Sequence, residues 1–290
     1  MTLLIGAHIN KNGKSYLNAI KTIIPLGGNV VSIFIGNPQD MKITTINPKE
    51  ATQVEQFIED SGITLFSHSK YCINLASPKP FAHHLYVAEL NNIFQMGGIG
   101  SVVHVGKSVS LPIREAEKNM KENVSKVIKK VFTTPEKKKD LKIIIETGAS
   151  CGTEMYWRIE NLGAFYKSFT TKEKKYIKFC IDTCHIFSAG YDIRTKKGMK
   201  DFLRLWNQNI GVHKIDLIHL NDSKTHLGSR IDRHEQIRHG YITNPALGGS
   251  IEGIKYLVNF CKKHSIPMIL ERGSAGATKN EISFIKSLAN

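Results

Sequence analysis

The 290-residue chain has only five cysteines, at positions 72, 151, 180, 184 and 261, unevenly spaced. So sparse and irregular a set excludes a disulfide-stapled secreted scaffold and suits a reducing compartment. Long apolar runs are missing too. None approaches the roughly 18 residues of a membrane span, so the sequence predicts a soluble chain without membrane association. The opening MTLLIGAHIN reads as a strand and lacks the basic segment and cleavage site of a secretory leader. The expected setting is therefore intracellular, cytoplasm or nucleus according to the host. No Pro/Ser-rich linker, tandem repeat or change of composition divides the chain, which predicts one domain over residues 1–290. No Gly-x-Gly-x-x-Gly follows a strand, which counts against an open nucleotide-binding sheet.

Acidic residues are few, 25 against 40 Lys+Arg, for a formal net charge of +15. Arginine is scarcer still, 8 residues against 32 lysines. Such lysine excess is what an AT-rich coding sequence and a solvated surface would give. It is equally what attraction to a polyanion such as nucleic acid requires, through counterion release. Charge alone leaves both readings open.

What the chain does have is core material, 41% hydrophobic residues, which excludes a disordered protein. Short β-branched runs recur at Leu3–Ile9, Val30–Ile35, Ile63–Ser67, Ser101–Val105, Lys142–Glu146, Ile177–Asp182, Ile215–Leu220 and Pro267–Glu271. They are continuous rather than alternating, as parallel strands covered on both faces are. Helical stretches separate them. One starts at Asn47-Pro48, another runs from Pro112 to Val131, and a third runs from an N-cap at Ser250 to His264 with Ile251, Ile254, Leu257 and Val258 on one face. Eight strands alternating with helices predict an α/β fold, a closed (β/α)8 TIM barrel. The alternative is an open doubly wound sheet. The charge run Glu136-Lys137-Lys138-Lys139-Asp140 reads as a solvated loop.

The chemistry stands at the strand ends. Strand three runs into His68, strand four reaches His104, and strand five ends in Glu146. Strand six ends in Asp182 and leads into His185, strand seven reaches His219, and strand eight ends in Glu271; a later loop adds Asp232 and His234. In a barrel these ends converge on one mouth, the usual active-site face. Five imidazoles and four carboxylates there would repel and stay undersatisfied unless cations neutralise them. Since one catalytic zinc takes about three protein ligands, nine donors suit two or three metals. The imidazole share favours Zn²⁺, with Mn²⁺ and Fe²⁺ as alternatives, over Mg²⁺. Such a cluster activates water and neutralises a leaving alkoxide, so hydrolysis of a phosphate ester is the predicted reaction class.

Four motifs then carry a resemblance: His68-Ser69-Lys70-Tyr71-Cys72-Ile73-Asn74-Leu75-Ala76; Ile181-Asp182-Thr183-Cys184-His185 leading to Ala189-Gly190-Tyr191-Asp192; His219-Leu220-Asn221-Asp222-Ser223-Lys224; and Asp232-Arg233-His234. With them the chain resembles the endonuclease IV-type apurinic/apyrimidinic (AP) endonucleases, from Gly6-Ala7-His8 to Leu270-Glu271-Arg272. The resemblance implies three zinc ions: one on His68, His104 and Glu146, a second bridged by Glu146 to Asp182, His219 and Glu271, and a third on His185, Asp232 and His234. Mn²⁺ is a possible substitute. Glu146 and Glu271 would position a metal-bound hydroxide. The implied reaction is hydrolysis 5′ to an abasic site in double-stranded DNA, giving a 3′-hydroxyl and a 5′-deoxyribose phosphate, with removal of 3′ blocking groups, by a monomer.

The chain departs from the family at places. The family's Tyr-Leu wedge reads Tyr71-Cys72 here, and its loop arginine is absent from Gly36-Asn37-Pro38-Gln39, so Tyr71, Cys72, Gln39 and Arg233 are the expected DNA contacts, with Lys42, Lys70, Lys79 and Lys107 as candidate phosphate partners. The loop after Glu146 reads Thr147-Gly148-Ala149-Ser150 in place of Asn-Thr-Ala-Gly, and His104-Val105-Gly106 replaces His-Pro-Gly. His8 ends the first strand with no ligand role. His83, His84, His213, His226, His239 and His264 read as surface residues. Cys180 and Cys184 read as packed thiols, about 13 Å apart if both lie on an extended strand. A metal-dependent sugar isomerase or epimerase, with one or two metals, and a silent DNA-binding protein are the competing readings.

Overall fold

The structure, a computed structural model, describes residues 2–271 and 273–289. Eight strands close a parallel barrel: β1 (Ile5–His8), β2 (Val30–Phe34), β3 (Thr64–His68), β4 (Gly100–His104), β5 (Lys142–Glu146), β6 (Ile177–Asp182), β7 (Ile215–His219) and β10 (Met268–Leu270). The two-residue strands β8 (Asp222–Ser223) and β9 (His234–Glu235) pair antiparallel outside it. Around the barrel lie α1 (Tyr16–Lys21), α2 (Pro48–Ser61), α3 (Phe81–Gln95), α4 (Ile113–Val131), α5 (Pro135–Asp140), α6 (Ile159–Lys167), α7 (Thr183–Ser188), α8 (Lys196–Asn209), α9 (Glu252–His264) and α10 (Ala275–Leu288). The predicted TIM barrel is the observed one. Its strands begin and end within two residues of the apolar runs, since pairing stops short of their flanks. No helix among the described residues is long and apolar enough to cross a membrane.

Local chemistry explains most helix starts. Asn47 accepts the Lys49 N–H, and Pro48 presets the first turn of α2. The expected cap of α9 differs: Ile251 is the capping residue, in a helical conformation, and Ser250 accepts the Glu252 N–H from one residue further back. The charge run is no loop but α5, because Thr134 caps it and Pro135 opens it. On α3, His83 is buried against the expectation of a surface site, whereas His84, His213, His226, His239 and His264 are exposed. Burial drops the His83 pKa to about 4, so it is neutral in the fold.

The barrel interior holds one plug layer of Val30, Phe66, Val102, Ile144, Cys180, Leu217 and Ile269. On β1 the layer is completed by Gly6, which pairs with Val30 and Ile269; a Cβ there would strike the Val30 carbonyl. Side chains on a strand repeat every second residue. Two residues above the plug therefore stand His8, Ser32, His68, His104, Glu146, Asp182, His219 and Glu271, a ring aimed into the mouth.

Candidate metal centre

Glu146 sits at the middle of that ring, fully buried. Its Oε2 lies 3.1 Å from His104 Nε2 and 3.3 Å from His68 Nε2, and its Oε1 lies 2.7 Å from His219 Nδ1. His219 Nδ1 is also 3.3 Å from Glu271 Oε2. Glu146, Asp182, His219 and Glu271 bring donor atoms within 4.8 Å of one another. Beside them, His185 Nε2 and His234 Nε2 stand 3.4 Å apart, at 3.2 Å and 3.1 Å from the two oxygens of Asp232. Asp182 Oδ2, 3.4 Å from His234 Nε2, links the two groups. All nine residues predicted from the strand ends and the later loop are thus brought together, most of them lining a cleft of about 680 Å³.

The tautomers show what such a set lacks. His68 Nδ1 faces the Ser69 carbonyl at 2.8 Å, and His185 Nδ1 faces the Thr147 carbonyl at 2.8 Å. A carbonyl accepts only, so each Nδ1 carries the proton and donates it. Were the ring neutral, its other nitrogen would turn a lone pair toward a carboxylate oxygen, of Glu146 for His68 and of Asp232 for His185. Facing lone pairs repel unless a cation sits between them, and metal-bound histidines are oriented by just such second hydrogen bonds. A divalent cation fits this donor set.

Without metal, protons take the cations' role. Burial opposes charge on His185 and His219, yet neighbouring groups, Asp182 and Asp232 for the former and Cys180, Glu271 and Glu146 for the latter, hold both well above the ordinary imidazole value. His234 rises to about 9, against burial, through Asp182 and Asp232. Burial likewise opposes ionisation of Glu271, and His219 and His234 pull it down to about 2. Asp182, fully buried, is pushed up by burial. His8, lining the cleft, is driven to about 3 by burial, and neither ring nitrogen has a hydrogen-bond partner.

Two orienting residues escape a strand-end reading. Asn221 donates from Nδ2 to Asp182 Oδ2 at 2.7 Å and Glu271 Oε2 at 2.9 Å, tying two carboxylates together. Thr147 accepts the Asp182 N–H through its hydroxyl at 3.0 Å while its carbonyl fixes His185. Asn221 stood in a motif and Thr147 in a loop that departs from the family's pattern, but a neutral side chain carries no sign of whom it will orient. Cys180 and Cys184 are buried thiols, each pushed up to about 12 by burial. The extended spacing assumed for them is corrected: α7 starts directly after Asp182, which turns Cys184 toward Asp232 and His234.

At the mouth, Tyr71 is 62% exposed and packs edgewise on Phe34, ring centroids 5.3 Å apart. Cys72 is half-buried, its thiol donating to the Asp40 carbonyl at 3.3 Å. Gln39 and Arg233 are exposed, as are Lys42, Lys79 and Lys107. Lys70 is not available to a phosphate. It is fully buried, its ammonium held by Asp40 Oδ1 at 2.5 Å and the Lys42 carbonyl at 2.7 Å. Of the C-terminal motif Leu270-Glu271-Arg272, Arg272 lies outside the described residues.

Comparison with known proteins places the barrel in a class. Residues 22–288 match the sequence model of a family described as a xylose isomerase-like TIM barrel. Within that class, the chain is 33% identical over 278 residues to an endonuclease 4 homologue of Acanthamoeba polyphaga mimivirus, covering 93% of this chain and 86% of that one. It is 31% identical to an endonuclease 4 of Pediococcus pentosaceus, covering 93% and 87%. The crystal structure of endonuclease IV from Thermus thermophilus superposes with a TM-score of 0.83 at 22% identity, over 98% of each chain. The chain belongs to the endonuclease IV family.

Proposed function

We propose that this chain is a zinc-dependent DNA-repair endonuclease that hydrolyses the phosphodiester 5′ to an abasic site in double-stranded DNA. The products are a 3′-hydroxyl and a 5′-deoxyribose phosphate, and the same site removes blocking groups from 3′ ends. One domain over residues 1–290, acting as a monomer, carries the reaction. The observation that supports this most directly is the pair of proton-fixed histidines, His68 and His185, whose free nitrogens point at carboxylates. His68, His104 and Glu146 would hold one zinc ion, Glu146, Asp182, His219 and Glu271 a second, and His185, Asp232 and His234 a third; Mn²⁺ would substitute.

Bound there, the ions supply Lewis acidity, lowering the pKa of a water and neutralising charge on the departing oxygen. The chain's residues do the positioning. Glu146 and Glu271 orient the attacking water, whose oxygen joins phosphorus as the P–O3′ bond breaks and O3′ takes a proton. Asn221 and Thr147 keep the carboxylates and His185 in place. An abasic nucleotide has neither stacking nor pairing to lose, so its extrusion into the cleft is cheap, and that difference selects it. Tyr71, with Cys72, fills the gap left in the duplex, and Gln39 and Arg233 contact the backbone.

Incision of a duplex carrying one abasic site, with and without a strong zinc chelator, tests the reading. A 5′-side cut that chelation abolishes is expected. No cut by metal-replete protein overturns it. Metal content separates the competing readings: three per chain for the nuclease, one or two for a sugar isomerase, none for a silent DNA-binding protein.

A further inference from the structure

Three of the chain's eight arginines stand on two loops, Arg158 on the loop that leads into α6 and Arg230 and Arg233 on the loop between β8 and β9, and Arg233 lines the cleft. The loops meet there, since the Cys151 thiol lies against the backbone of Asp232. Trp157, half-buried, has two of these arginines over its ring: the Arg158 guanidinium carbon is 4.7 Å from the ring centroid and that of Arg230 is 5.9 Å away. All three arginines are exposed, and among the described residues none has a carboxylate within ion-pair distance. Arg230 is fixed at its backbone, N–H to the Ser188 carbonyl at 3.0 Å, in a left-handed conformation with φ of 57°.

Lysine supplies most of the chain's cations, so arginine here has a reason in its shape. A guanidinium stacks flat on an indole and still presents its N–H edge, which matches a phosphate bidentately; an ammonium does neither. Stacking also holds both side chains still before any ligand arrives, which lowers the entropy lost on binding. We propose that Arg158, Trp157 and Arg230 form a second DNA-contact surface, gripping backbone phosphates of the duplex flank outside the cleft. The inference rests on the reading of the site as a nuclease centre. It places the flank on the side of His185, Asp232 and His234, because Arg230 is two residues from Asp232 and its reach in sequence is correspondingly short.

The test uses the metal-replete protein and an intact duplex, which presents phosphates but no abasic site. Affinity is measured across a salt series for the parent and for Arg158→Gln, Arg230→Gln and Arg230→Lys. Each Gln variant is expected to reduce the log–log salt slope by about 0.9 and to weaken binding at least severalfold at moderate salt. Arg230→Lys keeps the slope but loses affinity, because the stack is lost. Emission from Trp157 should change on adding DNA; the other tryptophan, Trp206, is fully buried. Slopes unchanged in variants of parental melting temperature overturn the surface. Unchanged slopes with lowered melting temperature overturn it too, leaving only a staple between two loops. If the slopes fall but the parent fails to incise an abasic duplex, the surface stands and the nuclease reading fails.

Discussion

At the scale of single residues, the centre depends on side chains with one job each. Glu146 touches His68, His104 and His219 through its two oxygens. Glu146→Gln keeps the shape but replaces one oxygen with a donor, so turnover should fall by at least about 10²-fold while binding to abasic duplex stays measurable. Single-turnover incision beside a binding titration checks this, and an active variant contradicts the bridging role. Asn221 touches no metal in the proposed scheme, yet it ties Asp182 to Glu271. Asn221→Ala should cost about 10- to 100-fold in zinc affinity, readable by competition with a chromophoric chelator. The donors themselves were legible in the sequence because a charged or imidazole side chain at the end of a buried strand has few structural reasons to be there. Asn221 was visible only as a letter in a motif, and Thr147 only as a departure from the family's loop. Lys70 was misread because its burial depends on Asp40, thirty residues away, and no local pattern records that contact.

At the scale of elements, the loop after β2 and the segment after β3 form one unit. The Tyr71 N–H donates to the Pro38 carbonyl at 3.0 Å, Cys72 reaches the Asp40 carbonyl, and Lys70 anchors Asp40 and Lys42 from beneath. Lys70→Met would leave the Asp40 side chain and the Lys42 carbonyl without their donor and so loosen the loop. Residues 36–44 should then be cut faster by protease, and DNA affinity should drop while zinc content does not. Glu89 closes the unit from α3, accepting the Lys70 N–H at 3.3 Å, and burial raises its pKa to about 8 from 4.5. A raised acid favours its neutral form in the fold, so the contribution of Glu89 to stability is greatest below pH about 4.5 and declines as pH rises toward about 8. Glu89→Gln should remove that decline: its melting temperature, relative to the parent, rises by several degrees between pH 5 and 8.5. A gap that stays constant with pH would exclude Glu89 as the source. The barrel strands could be located from their β-branched runs, but α5 and α7 are six residues each and β8 and β9 two, too short for any periodicity to declare itself.

At the scale of the whole molecule, the donors stand on or directly after six of the eight barrel strands, on α7 and on the β7–β10 connection, so any ion they share clamps the circumference. Stripping metal should lower the melting temperature: a ligand in thousandfold excess over its Kd contributes about 4 kcal/mol, roughly 10 °C for a domain of this size. Calorimetry before and after chelation, with zinc added back, measures it, and coincident transitions would refute the clamp. The step of two residues from Ile144 to Glu146, repeated from Phe66 to His68 and from Leu217 to His219, has another implication. Plug and rim share one reading frame along each strand. A single-residue insertion in β5 ahead of Ile145 would turn Ile145 to the mouth and send Glu146 outward among the helices, exchanging apolar for ionic at both places at once. Variation in this lineage is therefore free to lengthen loops, while the strands tolerate length changes only in pairs.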